Sequence, residues 1–154
     1  MTDADRDDLL IAIRSAIASS PNAESAMKQA VRLLKDAIPY YSWVGIYLLD
    51  GNELVLGPFL GKPSPHTRIP LGRGICGAAA TEKATIVVDD VNADARYLAC
   101  SIETKSEIVV PIMEGDEVLG EIDIDSDTPA AFGDADRVLL EQVAALVSES
   151  LSEG

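Results

Sequence analysis

Residues 106–127 read SEIVVPIMEGDEVLGEIDIDSD. Two runs of strand character, SEIVVPIME and EVLGEIDID, flank Gly115-Asp116, and a glycine-bearing pair between such runs predicts a tight antiparallel hairpin. In the second run Ile122 and Ile124 face one way, while Glu121, Asp123 and Asp125 face the other. Same-face neighbours on a strand sit about 7 Å apart, and at an effective dielectric of ~20 two carboxylates at that distance repel by roughly 2 kcal/mol. Plain water, a metal ion or a positively charged ligand each offsets that repulsion. In an acidic chain a solvated face needs water alone.

Outward from this hairpin the same logic assigns the rest of the chain. YYSWVGIYLLD and NELVLGPFL, from Tyr40 to Leu60, form a second hairpin across Asp50-Gly51, and TRIPL and ATIVVDD supply further strands. Helical periodicity covers residues 3–19, with Leu9, Ile13 and Ile17 in register, and residues 22–38, with Met27, Val31, Leu34 and Ile38; Pro21-Asn22 separates the two. After Pro129 the chain returns to helix, with Asp134 as the expected N-cap and Val138, Leu139, Val143 and Leu146 as the apolar stripe. Helices at both ends of a run of strands predict an α+β fold, an antiparallel sheet covered by helices. A length of 154 residues with 47% hydrophobic content suits one domain over 1–154.

Twelve Lys and Arg against 26 Asp and Glu leave a formal charge of -14, which opposes binding to nucleic acid and to anionic membrane. The N-terminal MTDADRDDLL is acidic where a secretory leader is basic, and no apolar run approaches the roughly 18 residues of a membrane span, so a cytoplasmic protein is expected. Two cysteines, Cys76 and Cys100, make no disulfide framework. In a reducing compartment such thiols are either buried filler or reactive chemistry.

The long connections 61–83 and 91–106 each carry one of these cysteines. In the first, GRGICG matches G-x-G-x-x-G at Gly72, Gly74 and Gly77. The unit is too short for a dinucleotide-binding βαβ fold, and Pro70 sits badly in a central parallel strand, so a turn that lets backbone approach a small ligand is the better reading. DIDSDT imitates half a calcium loop, but its sixth position is Thr128 and its twelfth Asp134. One histidine and two separated cysteines do not reach a zinc spacing pattern, so no metal is expected. Lys62, His66, Arg68 and Arg73 concentrate positive charge before Cys76, either as a solvated loop or as a neighbourhood that favours thiolate. Cys100 lies among Ser101, Glu103, Thr104 and Lys105, polar company for a merely structural thiol.

Trp43-Val44-Gly45 with Tyr47, Gly57-Pro58-Phe59 with Gly61-Lys62, Arg68-Ile69-Pro70, Gly72 to Gly77, Cys100 followed by Ser106-Glu107-Ile108-Val109, and Asp123-Ile124-Asp125-Ser126 together resemble the free methionine-(R)-sulfoxide reductases, which are single GAF domains. The resemblance spans nearly the whole chain from the second helix onward. It implies a GAF-like antiparallel sheet with helices packed on it from both chain ends, and a homodimer through the terminal helices. It implies that Glu107, Asp123 and Asp125 line a closed pocket and engage the ammonium of a free amino acid, with Trp43 and Tyr47 as the wall against its methyl-sulfur end. Glu121 has no counterpart and is expected to face solvent.

Cys100 matches the attacking thiol. Its attack on free methionine sulfoxide leaves a sulfenic acid, a second thiol condenses with that to a disulfide, and a thioredoxin-type reductant restores both; no bound cofactor is required. The sequence departs from the family at His66-Thr67-Arg68-Ile69-Pro70, where members usually carry cysteine in place of His66. Cys76 then takes over recycling, or an external thiol does, or the chain acts as a non-catalytic GAF sensor of an amino-acid-like ligand.

Overall fold

The structure, a computed structural model, describes residues 1–98 and 102–153. Cys100 lies outside the described residues. Alternation along the two hairpins builds the sheet. β1 (Trp43–Asp50) and β2 (Glu53–Leu60) pair antiparallel down to Asp50 opposite Glu53, leaving Gly51-Asn52 as a two-residue turn in which Gly51 takes a φ of 61°. β3 (Arg68–Pro70) and β4 (Ile86–Val88) are short. β5 (Ser106–Glu114) and β6 (Glu117–Ser126) close around Gly115, with a φ of 60°. Both turn glycines adopt the left-handed conformation that a two-residue hairpin requires. The sheet order is β3-β2-β1-β6-β5-β4, antiparallel throughout, so the two longest hairpins meet at the centre through β1 and β6. Its edges are three-residue strands, and Pro70 ends one of them, where a missing backbone donor costs no central ladder bond.

One face of the sheet is apolar. Val44, Ile46, Ile108, Val110, Ile112, Ile122 and Ile124 are all buried there against α1 (Asp3–Ser19), α2 (Ala23–Ala37) and α4 (Asp134–Glu153). α1 starts in a capping box between Thr2 and Asp5, and α2 starts at Asn22, whose Oδ1 accepts from the Ser25 N–H at 2.8 Å. The helices thus come from both chain ends onto a single face of an α+β fold. Among the described residues none of them is long and apolar enough to cross a membrane.

α4 departs from its expected phase in two respects. Val138 is 50% exposed, and Leu140 and Val147 join Leu139 and Val143 in the core. The buried stripe is Leu139, Leu140, Val143, Ala144 and Val147, one of the neighbouring phases between which local periodicity does not choose. Asp134 is already the first helical residue, so it does not act as the N-cap. Gly133 stands there instead, its carbonyl accepting from Arg137 and its N–H donating to Asp136 Oδ2 at 3.0 Å. The second face of the sheet is covered by α3 (Gly74–Glu82), through Ile75, Cys76, Ala79 and Ala80 packed near Tyr47, Val88 and Val109.

Candidate functional site

Register places the polar residues of this second face in three rows. Asp125 lies between Trp43 on β1 and Glu107 on β5, Asp123 between Gly45 and Val109, and Glu121 between Tyr47 and Pro111. Directly paired residues point to the same side with Cβ atoms about 5 Å apart, so pleat and register alone bring Glu107 beside Asp125. Relative exposure is 6% for Glu107, 0% for Glu121, 3% for Asp123 and 4% for Asp125. The face is therefore not solvated, and Glu121, expected in solvent, is the most buried of the four.

Cys76, the third residue of α3, is directed at this face. Its Sγ and one oxygen each from Glu107 and Asp123 lie within 4.8 Å of one another. The cations that precede it in sequence do not surround it. Lys62 pairs with Glu103, Arg68 with Asp50 and Glu53 at 3.9 and 3.3 Å, and Arg73 is exposed. Those side chains reach water from the rim, whereas α3 carries the thiol inward. Burial, followed by the charges of Asp123, Glu121 and Glu107, pushes the Cys76 thiol well above its ordinary range, so of the two readings of these cations the structure favours the solvated loop over the thiolate-favouring neighbourhood.

The carboxyls behave alike. Burial, with the Asp123 charge adding to it, holds Glu107, Glu121 and Asp125 well above the usual carboxylate range. Asp123 is also raised by burial, partly offset by Glu107 and Cys76 beside it. Both oxygens of Glu121, Oδ1 of Asp123 and Oδ1 of Asp125 have no hydrogen-bond partner among the described residues. Such a cluster holds protons that it can donate, or accepts a cation in their place.

Trp43 and Tyr47 wall the same face. The Trp43 indole N–H donates to the Lys62 carbonyl at 2.9 Å, and its ring stacks on Phe59 with centroids 5.7 Å apart. It folds over Gly45, where an added Cβ would fall 2.3 Å from the indole. The Tyr47 hydroxyl donates to the His66 carbonyl at 2.8 Å, so the backbone of His66 anchors the 61–67 connection at the rim. A cavity of about 20 Å³, bordered by Tyr47, His66, Cys76, Leu98, Glu107 and Asp123, opens under α3. A second of about 60 Å³ lies by Trp43, Lys62, Glu103, Thr104 and Asp125. Leu98 and Glu103, which bracket Cys100 in sequence, thus line these two cavities. The structure brings Trp43, Tyr47, His66, Cys76, Glu107, Asp123 and Asp125 to one side of the sheet and adds Glu121, whose strand phase was the available signal.

Residues 22–151 match the sequence profile of the GAF domain family. The chain is 42% identical over 133 residues to the free methionine-R-sulfoxide reductase of Saccharomyces cerevisiae, spanning 84% of this chain and 72% of that protein. It is 37% identical over 142 residues to GAF domain-containing protein A of Dictyostelium discoideum, spanning 92% and 89%. The fold superposes on the X-ray structure of the free methionine-R-sulfoxide reductase from Neisseria meningitidis in complex with its substrate, with a TM-score of 0.92, 35% identity, and coverage of 99% of this chain and 92% of that one. Since the matched segment runs from the cap of α2 into α4 and takes in every strand that positions the carboxylates, the chain belongs to the GAF domain family.

Proposed function

We propose that the protein reduces free L-methionine-(R)-sulfoxide to methionine. The observation that carries this reading is the buried row of Glu107, Asp123 and Asp125 beside Trp43 and Tyr47, which offers an ammonium a set of carboxylates and a methylsulfinyl group an aromatic wall. The relatives named for that activity support it.

Cys100 attacks the sulfoxide sulfur while a carboxyl of the same face, held protonated by burial, donates to the sulfoxide oxygen. Oxygen passes to the cysteine, methionine leaves, and Cys100 is left as sulfenic acid. The Cys76 thiol then attacks that sulfur, and the sulfenic oxygen leaves as water with the thiol proton, giving a Cys76–Cys100 disulfide. A thioredoxin-type dithiol reduces the disulfide and is itself oxidised. Thiols carry every electron, so the cycle uses no resident cofactor. Cys76 is fixed in α3, and closure of the disulfide depends on Cys100 bringing its Cα within about 7 Å.

The two cavities are water-sized, so Leu98 must leave its seat on Gly74 to admit an amino acid. The protein acts in the cytoplasm, where such reductants operate, as a homodimer through α1 and α4. Ile11 and Val138 leave apolar surface on those helices, and light scattering on the purified chain tests the assembly. A thioredoxin-coupled assay on free L-methionine-(R)-sulfoxide tests the activity. Turnover of the R epimer with none of the S epimer is expected, and absence of turnover with R removes the proposal.

A further inference from the structure

The cluster around Cys76 contains more ligating atoms than one ammonium occupies. A thiol from α3 and carboxylates from β5 and β6 converge within 4.8 Å of one another, and all three side chains are buried. The adjoining cavity of about 20 Å³ has room for roughly one water. Asp123, which lines it, has an oxygen with no hydrogen-bond partner among the described residues, and both oxygens of Glu121 are in the same condition. Buried carboxylates without donors leave a place for positive charge.

We infer that Cys76, Glu107 and Asp123 form a binding site for a single thiophilic divalent cation of the zinc type. The donor set selects the ion. A sulfur with two carboxylate oxygens suits borderline-soft zinc, with a fourth position left for water. Magnesium keeps several waters and calcium takes six to eight oxygens, and a cavity for about one water accommodates neither. On binding, the Cys76 S–H proton and the protons held by the Glu107 and Asp123 carboxyls leave to solvent, and one sulfur–metal and two oxygen–metal bonds form, with no change of oxidation state. The bound ion occupies the carboxylates and the thiol together, which makes it a reversible block on that thiol. This site goes beyond the proposed reduction, and its measurement involves no substrate.

The reduced full-length chain is titrated with cobalt(II), then with zinc as competitor. One equivalent of cobalt is expected, with sulfur-to-cobalt charge-transfer absorption, displaced by zinc and not by magnesium. Cys76→Ser is expected to abolish the absorption and to weaken zinc by more than about tenfold, the loss that even an outer-sphere partner causes. Glu107→Gln, on another element, is expected to weaken zinc similarly, and it serves should circular dichroism show Cys76→Ser unfolded. Cys100→Ser is expected to leave both signals intact. No charge-transfer band in the parent, a band that survives in folded Cys76→Ser, undiminished zinc affinity in Glu107→Gln, or a band lost in Cys100→Ser overturns the assignment.

Discussion

Cys76 keeps its proton at neutral pH in the unliganded protein, because burial and three carboxylates oppose the thiolate. A thiol so held is a poor first nucleophile, and the proposed cycle uses it only second, against an electrophilic sulfenic acid. Cys100→Ser is therefore expected to lose sulfoxide reduction while still binding the amino acid. On the proposed cycle Cys76→Ser is expected to complete one turnover, to accumulate a sulfenic acid that dimedone traps, and to stall with thioredoxin as the only reductant. Steady-state activity of Cys76→Ser under those conditions excludes this recycling route. The carboxylates act at the same scale. On the proposed function Asp123→Ala and Asp125→Ala each remove a buried partner of the substrate's ammonium, so calorimetry should find binding weakened by about 1.5–3 kcal/mol. Unchanged affinity in either would move the ammonium elsewhere.

At the scale of elements, α4 is fastened by one buried carboxylate. Asp136 Oδ1 accepts from the hydroxyls of Tyr40 and Tyr41, each at 2.7 Å, and Oδ2 accepts from the Gly133 N–H. Burial and this carboxylate push Tyr40 up to about 12 and Tyr41 further in the same direction, so both remain donors. The contact ties the start of the last helix to the chain entering β1, which carries Trp43. Asp136→Ala leaves these donors unmatched and is expected to cost about 2–4 kcal/mol in urea denaturation, with Asp136→Asn milder because one acceptor oxygen remains. An alanine variant as stable as the parent would mean that apolar packing alone holds α4.

For the whole molecule the buried carboxyls set the direction of pH dependence. A carboxyl with a folded pKa above its unfolded value binds its proton more tightly in the folded chain. Stability therefore falls as pH rises from the unfolded value, near 4, toward the folded one, by about 1.4 kcal/mol per pH unit for each such group. Glu107, Glu121, Asp123 and Asp125 all act in this sense. Asp5 and Asp94, lowered by Thr2 and Arg96, act oppositely but near water, where such contacts contribute little. A net charge of -14 adds self-repulsion at higher pH. The unliganded protein should melt higher at about pH 5 than at about pH 8. Glu121→Gln should melt above the parent at about pH 8 and level with it at about pH 4, because the amide has no proton to lose. Equal melting temperatures at both pH values would show that Glu121 ionises in the fold without cost.

The sequence by itself determined what depends on neighbours along the chain. Strand alternation and turn glycines placed β5 and β6 around Gly115, and Pro21-Asn22 divided α1 from α2. Pleat phase put Glu121, Asp123 and Asp125 on one face, since a period of two is a local property. Whether that face met water or α3 was not local, because the same alternation serves a solvated sheet and a buried one. Only the tertiary structure decided it, by laying α3 across the strands. That placement buried Glu121, surrounded Cys76 with residues 31 to 47 positions further along the chain, from Glu107 to Asp123, and left Lys62, Arg68 and Arg73 at the rim. On the opposite face, packing against α1, α2 and the sheet put Leu140 of α4 in the core and left Val138 to the solvent. Contacts between distant segments depend on how layers stack, and no short window of sequence contains both partners.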